Sequence, residues 1–192
     1  MKYNNNYYIL RHGESVSNVK DIHSCWPEKF YFPLTDKGRK EAEAAAKKLK
    51  SKKIDLIFSS DILRTKQIAG IVGKELNLKI EYDKRLREVD VGIFNGKTLK
   101  EFRKFFPKEE INRRFKEKPE GGETYTDVRN RMHDFLKDKD KKYKNRNILI
   151  ISHQLPLVLI ESIAKDIPNS QVFKVFTKDK RIKTGELRLL TK

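Results

Sequence analysis

Disulfides are the first thing this sequence excludes. Cys25 is the one cysteine among 192 residues, so no internal bridge can form and no second thiol can share a zinc ion with it. A lone thiol agrees with a reducing compartment, and the expected location is the cytoplasm. No apolar run approaches the ~20 residues that cross a bilayer, and Met1 to Asn6 lack the apolar core of a signal peptide. Internal repeats, low-complexity linkers and breaks in composition are missing as well. The length suits one compact unit, so residues 1–192 are expected to form a single domain. Acidic residues are the minority, 27 against 44 Lys and Arg, for a net charge of +17. That sign suits phosphate esters, nucleic acid or an anionic surface without choosing among them.

What is present argues for a folded protein. Apolar and charged residues each make up 37% of the chain, and Ile, Leu, Val and Phe are too frequent for general disorder. The basic runs Lys47 to Lys53 and Lys137 to Arg146 fall where helices should end, so they read as solvated helix ends rather than a nucleic-acid groove.

Along the chain, Tyr7 to Leu10 form a β-prone run that delivers Arg11-His12-Gly13-Glu14-Ser15 at its tip. After Thr35 or Asp36 as N-cap, Ala42, Ala45, Ala46 and Leu49 recur at helical spacing. Ile54 to Phe58 read as a buried strand. Ser59-Ser60-Asp61 then supply capping side chains, which puts Arg64 in the first turn of the next helix. Lys79 to Tyr82 suggest a strand, Glu88 to Thr98 a loop with Gly92 and Gly96, and Leu99 to Phe106 a helix. Gly121 to Thr124 make a turn and cap before a helix from Tyr125 to Lys137, with Val128 and Met132 on one face. Asn147 to Ile151 are the clearest strand, ending at Ser152-His153-Gln154. A helix follows over Leu155 to Ile163, with Pro156 tolerable in its first turn. Gln171 to Phe176 and Glu186 to Leu190 are expected closing strands. Strands alternating with helices predict a three-layer α/β/α sandwich around a mostly parallel central sheet.

Three strand exits therefore carry Arg11 and His12, Arg64, and His153. In open α/β sheets that edge is where ligands bind. Convergence there would make a cationic pocket the size of a phosphoryl group. Arginine matches phosphate oxygens two at a time and stays charged. Histidine serves as a nucleophile when neutral.

These residues resemble the signature of the histidine phosphatase superfamily, which includes the cofactor-dependent phosphoglycerate mutases. The matching segments are Leu10 to Ser15 with Asn18, Pro33 to Gly38, Ser59 to Thr65, Leu86-Arg87-Glu88, Gly121 to Thr124, and Ile151 to His153. The resemblance implies a phosphoglycerate mutase-like fold. It implies that His12 forms a phosphohistidine while Arg11, Arg64 and His153 bind and stabilise the phosphoryl oxygens. Glu88 matches the family's proton donor, for which its pKa must be raised; otherwise it would form a loop salt bridge with Arg85 or Arg87. Asn18, Ser24 and Glu123 are candidate substrate contacts, each also able to cap a turn. One departure is Gln154, where many members have glycine; the fructose-bisphosphatase branch also has glutamine there.

The mutases of the superfamily are usually longer between the Glu88 region and the second histidine. The short stretch here implies a cover that admits water, hence a phosphomonoesterase acting on a small metabolite. Phe102, Phe105, Phe106 and Phe115 would line or cover the pocket, or simply pack. The alternatives are a mutase-type phosphotransferase and a catalytically silent basic protein that binds phospho-ligands. No metal and no other cofactor is expected, since the arginines supply the charge that magnesium supplies elsewhere. Neither a membrane nor a nucleic acid is a required partner.

Overall fold

A computed structural model describes residues 3–190; Met1, Lys2, Thr191 and Lys192 lie outside the described residues. In chain order the elements are β1 (Asn6–Arg11), α1 (Val16–Val19), α2 (Asp36–Leu49), β2 (Leu56–Ser59), α3 (Leu63–Leu76), β3 (Ile80–Tyr82), α4 (Leu99–Phe105), α5 (Tyr125–Lys142), β4 (Asn147–Ser152), α6 (Gln154–Ala164), α7 (Val172–Val175) and β5 (Leu187–Leu189). The strands form one sheet of order β3-β2-β4-β1-β5, parallel except for β5, which runs antiparallel to β1. This is the three-layer architecture expected from the alternating pattern.

Period-two alternation divides the core between the two faces of the sheet. Leu10, Ile57, Leu149 and Ile151 meet Ala42, Ala45, Ala46 and Leu49 of α2 and Ile68, Ala69 and Val72 of α3. Tyr7, Ile9, Phe58, Ile148 and Ile150 meet Val128, Met132, Phe135 and Leu136 of α5 and the apolar face of α6. Each large side chain buried in this way contributes about 1.5–3 kcal/mol. The alanines of α2 let that helix lie close to the sheet.

Helix starts follow local chemistry. Thr35 Oγ1 accepts from Gly38 N at 3.1 Å to open α2. Thr124 and Asp127 form a reciprocal capping box at α5. At α3 the expected Ser59–Asp61 cap is corrected. The N-cap is Ile62, Ser60 Oγ accepts from Ile62 N at 3.3 Å, and Leu63 N is taken by Glu28 Oε2 at 2.9 Å, from a loop remote in sequence. The Lys47–Lys53 run ends α2 in solvent as expected. Lys139 departs from its run: it is buried, with its ammonium 4.6 Å from the Phe58 ring centroid.

The expected strand Gln171–Phe176 is instead a 3₁₀ turn leading into α7. A strand would put Val172, Lys174 and Phe176 on one face and drag a lysine into the core. The helical turn buries Val172 and Phe176 together, four residues apart, and leaves Lys174 exposed. The Glu88–Thr98 loop holds a short 3₁₀ turn, Gly92–Phe94.

One backbone contact controls the loop after β1. A Cβ on Gly38 would stand 1.9 Å from Glu14 O, and one on Gly13 would stand 2.3 Å from Gly38 O. Two glycines let the start of α2 lie directly on the loop that follows His12. Gly38→Ala should destabilise the protein by about 1–3 kcal/mol through overpacking, seen as ~2–4 °C of lost melting temperature per kcal/mol. An unchanged melting curve would show that the loop yields freely.

Candidate active site

The site is assembled by strand register. Arg11 pairs with Ser152, and Ser59 with Ile151, so β1, β2 and β4 end side by side. The following residues, His12, Ser60 and His153, extend the same edge, with His12 N donating to Ser152 O at 3.1 Å and Ser60 N to Ile151 O at 3.0 Å. The two imidazoles stand 5.2 Å apart, edge to face. The first turn of α3 carries Arg64 between them and the loop at Ser24.

The hydrogen bonds fix which nitrogen of His12 is nucleophilic. Nδ1 lies 2.7 Å from Gly13 O, a carbonyl that can only accept, so Nδ1 carries the proton. Nε2 therefore holds the lone pair, and it accepts from Arg64 Nε at 3.1 Å. The remaining arms of Arg64 donate to Ser24 Oγ at 3.2 Å and Ser24 O at 3.0 Å. Arg11 donates to Ile182 O at 3.1 Å. His153 Nε2 lies 2.9 Å from Ser60 Oγ. Arg11 Nε and His153 Nδ1 are buried without a hydrogen-bond partner among the described residues, two polar atoms beside His12 that a bound oxyanion would satisfy.

Burial, reinforced by Arg64 and Arg11, holds the His12 pKa well below the ordinary histidine value. Burial and Arg64 do the same to His153, so both imidazoles are neutral near neutral pH. Burial lowers Arg11 to about 10, which leaves it charged. Glu88 moves the other way: burial raises its carboxyl above the usual range despite the opposing pull of Arg64 and Arg11. Its Oε1 accepts from Val89 N at 3.0 Å. The neighbouring arginines are engaged elsewhere, Arg85 with Asp83 and Asp138, Arg87 with Asp61. The loop-salt-bridge alternative for Glu88 is thus not what the side chains form.

A cavity of about 270 Å³ is lined by Arg11, His12, Asn18, Ser24, Arg64 and Glu88 among others; His153 is fully buried, its ring 5.2 Å from that of His12. Asn18 Oδ1 accepts from Ser15 N at 3.0 Å and Ser15 Oγ at 2.8 Å, so it also caps α1. Glu123 is not brought to the cavity. Its carboxylate pairs with Arg131 at 2.9 Å and accepts from Asp90 N at 2.9 Å, because the turn before α5 folds back onto the Glu88 segment. The phenylalanines pack rather than line: Phe102 and Phe106 enclose the buried Arg114, Phe115 packs on Tyr125 and Phe173, and Phe105 is exposed. Gln154 lines the cavity and donates to Ile182 O at 3.4 Å. Sequence reasoning missed Asp21, His23 and Tyr125, also in the lining. Their one available signal was adjacency to Asn18, Ser24 and the Thr124 cap.

Fold and cluster together define an α/β protein with a buried cationic site at the carboxyl ends of its parallel strands. The chain belongs to the histidine phosphatase superfamily (branch 1), whose family model matches residues 7–182. It is 30% identical over 154 residues to phosphoserine phosphatase 1 of Hydrogenobacter thermophilus, covering 78% of this chain and 71% of that protein. It is 28% identical over 164 residues to the probable phosphoglycerate mutase GpmB of Salmonella choleraesuis, covering 84% and 75%. Among solved structures, Bacillus stearothermophilus YhfR superposes with a TM-score of 0.84 at 26% identity, over 96% of this chain and 90% of that one. A mycobacterial glucosyl-3-phosphoglycerate phosphatase complexed with VO3 superposes with 0.83 at 22% identity, over 96% of both chains, a likeness of fold. The enzyme class is phosphoric monoester hydrolase, with the mutases as close relatives.

Proposed function

We propose that the protein hydrolyses a small phosphorylated metabolite through a phosphohistidine on His12, with Glu88 as proton donor. The observation that carries this reading is the His12 tautomer: Nδ1 is tied to Gly13 O and the Nε2 lone pair faces Arg64. In the first half-reaction Nε2 bonds to phosphorus and the ester P–O bond breaks, while protonated Glu88 gives its proton to the departing oxygen. The phosphoryl group takes over the Arg64 N–H now given to Nε2 and reaches Arg11 Nε and His153 Nδ1. These fixed donors stabilise charge spreading over the equatorial oxygens. In the second half-reaction the Glu88 carboxylate takes a proton from water, the oxygen attacks phosphorus, the P–Nε2 bond breaks, and orthophosphate leaves. The relatives named as phosphatases support hydrolysis, and the one named as phosphoserine phosphatase makes phospho-amino acids worth including among trial substrates.

The same reading takes residues 1–192 as one domain working without metal. Among the described residues no helix is long and apolar enough to cross a membrane. Incubation with p-nitrophenyl phosphate and a panel of phosphomonoesters in excess chelator should release phosphate at the rate seen without chelator. Loss of activity in chelator would overturn the arginine-based mechanism. Turnover that requires a bisphosphate primer would indicate a mutase. Ligand retention that weakens steeply with salt, without phosphate release, would indicate a binding protein.

A further inference from the structure

Away from His12 the cavity changes character. Among the described residues, Arg11 and Arg64 are the only Lys or Arg side chains in its lining, and both serve the phosphoryl end. The lining also holds Asp21, His23 and Tyr125 with the aliphatic Leu99 and Leu155.

Asp21 is notable for what it does not do. In a chain with 44 basic residues against 27 acidic ones, its exposed carboxylate makes no ion pair or hydrogen bond among the described residues. Its backbone, by contrast, is fixed: φ is 53°, N donates to Asn18 O at 3.2 Å, and O accepts from Leu99 N at 2.9 Å. His23 is seated by Lys97 O on its backbone N–H at 2.9 Å and by the Phe102 ring at 4.7 Å, with Nε2 unpartnered among the described residues. Burial brings it down to about 4, so it is a neutral hydrogen-bonding group. Arg114 stacks on and hydrogen-bonds Tyr125, and Arg114 and Arg103 both act on His23, but neither is ion-paired with Asp21 among the described residues. Arg114 is bonded to Glu117 O and Glu123 O inside an aromatic cage, and Arg103 lies on the exposed side of α4.

We propose that this part of the cavity selects phosphomonoesters whose leaving group carries no second anion and presents an ammonium or hydroxyl donor to Asp21 and His23. The inference rests on the phosphatase reading above and sharpens it. A leaving group with its own carboxylate or phosphate would meet the Asp21 charge, which no arginine or lysine among the described residues pairs, whereas a donor group satisfies Asp21 and His23 directly. The same arrangement disfavours a bisphosphate, the primer a mutase needs.

The test compares kcat/KM for phosphoethanolamine, glycerol 3-phosphate and 3-phosphoglycerate at one ionic strength, with p-nitrophenyl phosphate as reference. The amine and polyol esters should exceed the carboxylate ester by about tenfold or more. Asp21→Asn should shrink the amine-to-carboxylate ratio by about tenfold, and Asp21→Lys should invert it, with the change mainly in KM. Because the Asp21 carboxylate makes no hydrogen bond or ion pair among the described residues, Asp21→Asn should melt with the wild type, whereas Asp21→Lys, at φ 53°, should melt slightly lower, which a thermal scan verifies. Preference of the wild type for 3-phosphoglycerate, or a ratio unmoved by Asp21→Asn, would overturn the selectivity while leaving hydrolysis standing. No release from p-nitrophenyl phosphate would overturn the hydrolase reading and this one with it.

Discussion

Replacing His12 by alanine should reduce phosphate release on the order of 10⁴-fold or more, the scale at which loss of a nucleophile is felt. The wild type, quenched during turnover of a radiolabelled phosphomonoester, should carry label on the protein, and the alanine variant none. The expectation follows from geometry. His12 is 2% exposed, and its Nε2 lone pair is held toward the Arg64 guanidinium at the cavity wall. A His12→Asn variant keeps a polar side chain beside Gly13 O and separates lost chemistry from lost folding. If it folds normally and still turns over, the nucleophile lies elsewhere and the phosphohistidine route fails.

Glu88→Gln should cost about 10²–10⁴-fold on an alkyl phosphate, the usual worth of a positioned proton donor. It should cost less on p-nitrophenyl phosphate, whose phenolate leaves without protonation. The pH profile follows from the shifts. His12, with a lowered pKa, stays neutral and nucleophilic well below 6.5, so the acid limb of kcat/KM lies below the ordinary histidine range. Glu88, raised above 4.5, donates until pH passes its raised value, and that sets the basic limb. The basic limb should therefore lie above the ordinary glutamate range, and Glu88→Gln should abolish it.

Stability should move oppositely to rate. A carboxyl with a folded pKa above its unfolded one favours folding below about 4.5, the unfolded value, and that contribution is lost as pH rises through the folded value. Above that unfolded value the wild type bears the cost of ionising a carboxyl in a site that disfavours its charge, a cost that glutamine lacks. The variant should therefore melt higher than wild type at pH 7 and no higher at pH 4. Equal melting temperatures at both pH values would mean that the Glu88 carboxyl is not strained by its surroundings.

The cluster of Arg11, His12, Arg64 and His153 was legible because each of its parts follows a strand whose apolar pattern announces it: Tyr7–Leu10 before His12, Ile54–Phe58 before Arg64, Asn147–Ile151 before His153. Parallel strands bring their carboxyl ends to one edge whatever the residues between them, so local pattern sufficed. Gln171–Phe176 misled because valine and phenylalanine favour strands, while the deciding fact was the need to keep Lys174 out of the core. Glu123 misled for a related reason. Its partner Arg131 lies eight residues on, in α5, and a turn glutamate next to glycines has the same local appearance whether it faces a ligand or an arginine. Asp21, His23 and Tyr125 became visible only in three dimensions, since the cavity wall they share joins the exit of α1 to the start of α5 and no periodicity links the two.

The pairing of β1 with β4 works as a ruler. Backbone hydrogen bonds, running in register from Asn6 opposite Asn147 to Arg11 opposite Ser152, determine the interval between the two imidazoles. Core side chains set how firmly the ruler is held but not its graduations. Ile9, Leu149 or Ile150 can therefore be exchanged for residues of similar bulk without resetting the distance between the histidines, whereas adding or deleting one residue in either strand would put them out of step. In such a protein, drift in the core erodes lifetime at high temperature well before it alters what happens at phosphorus.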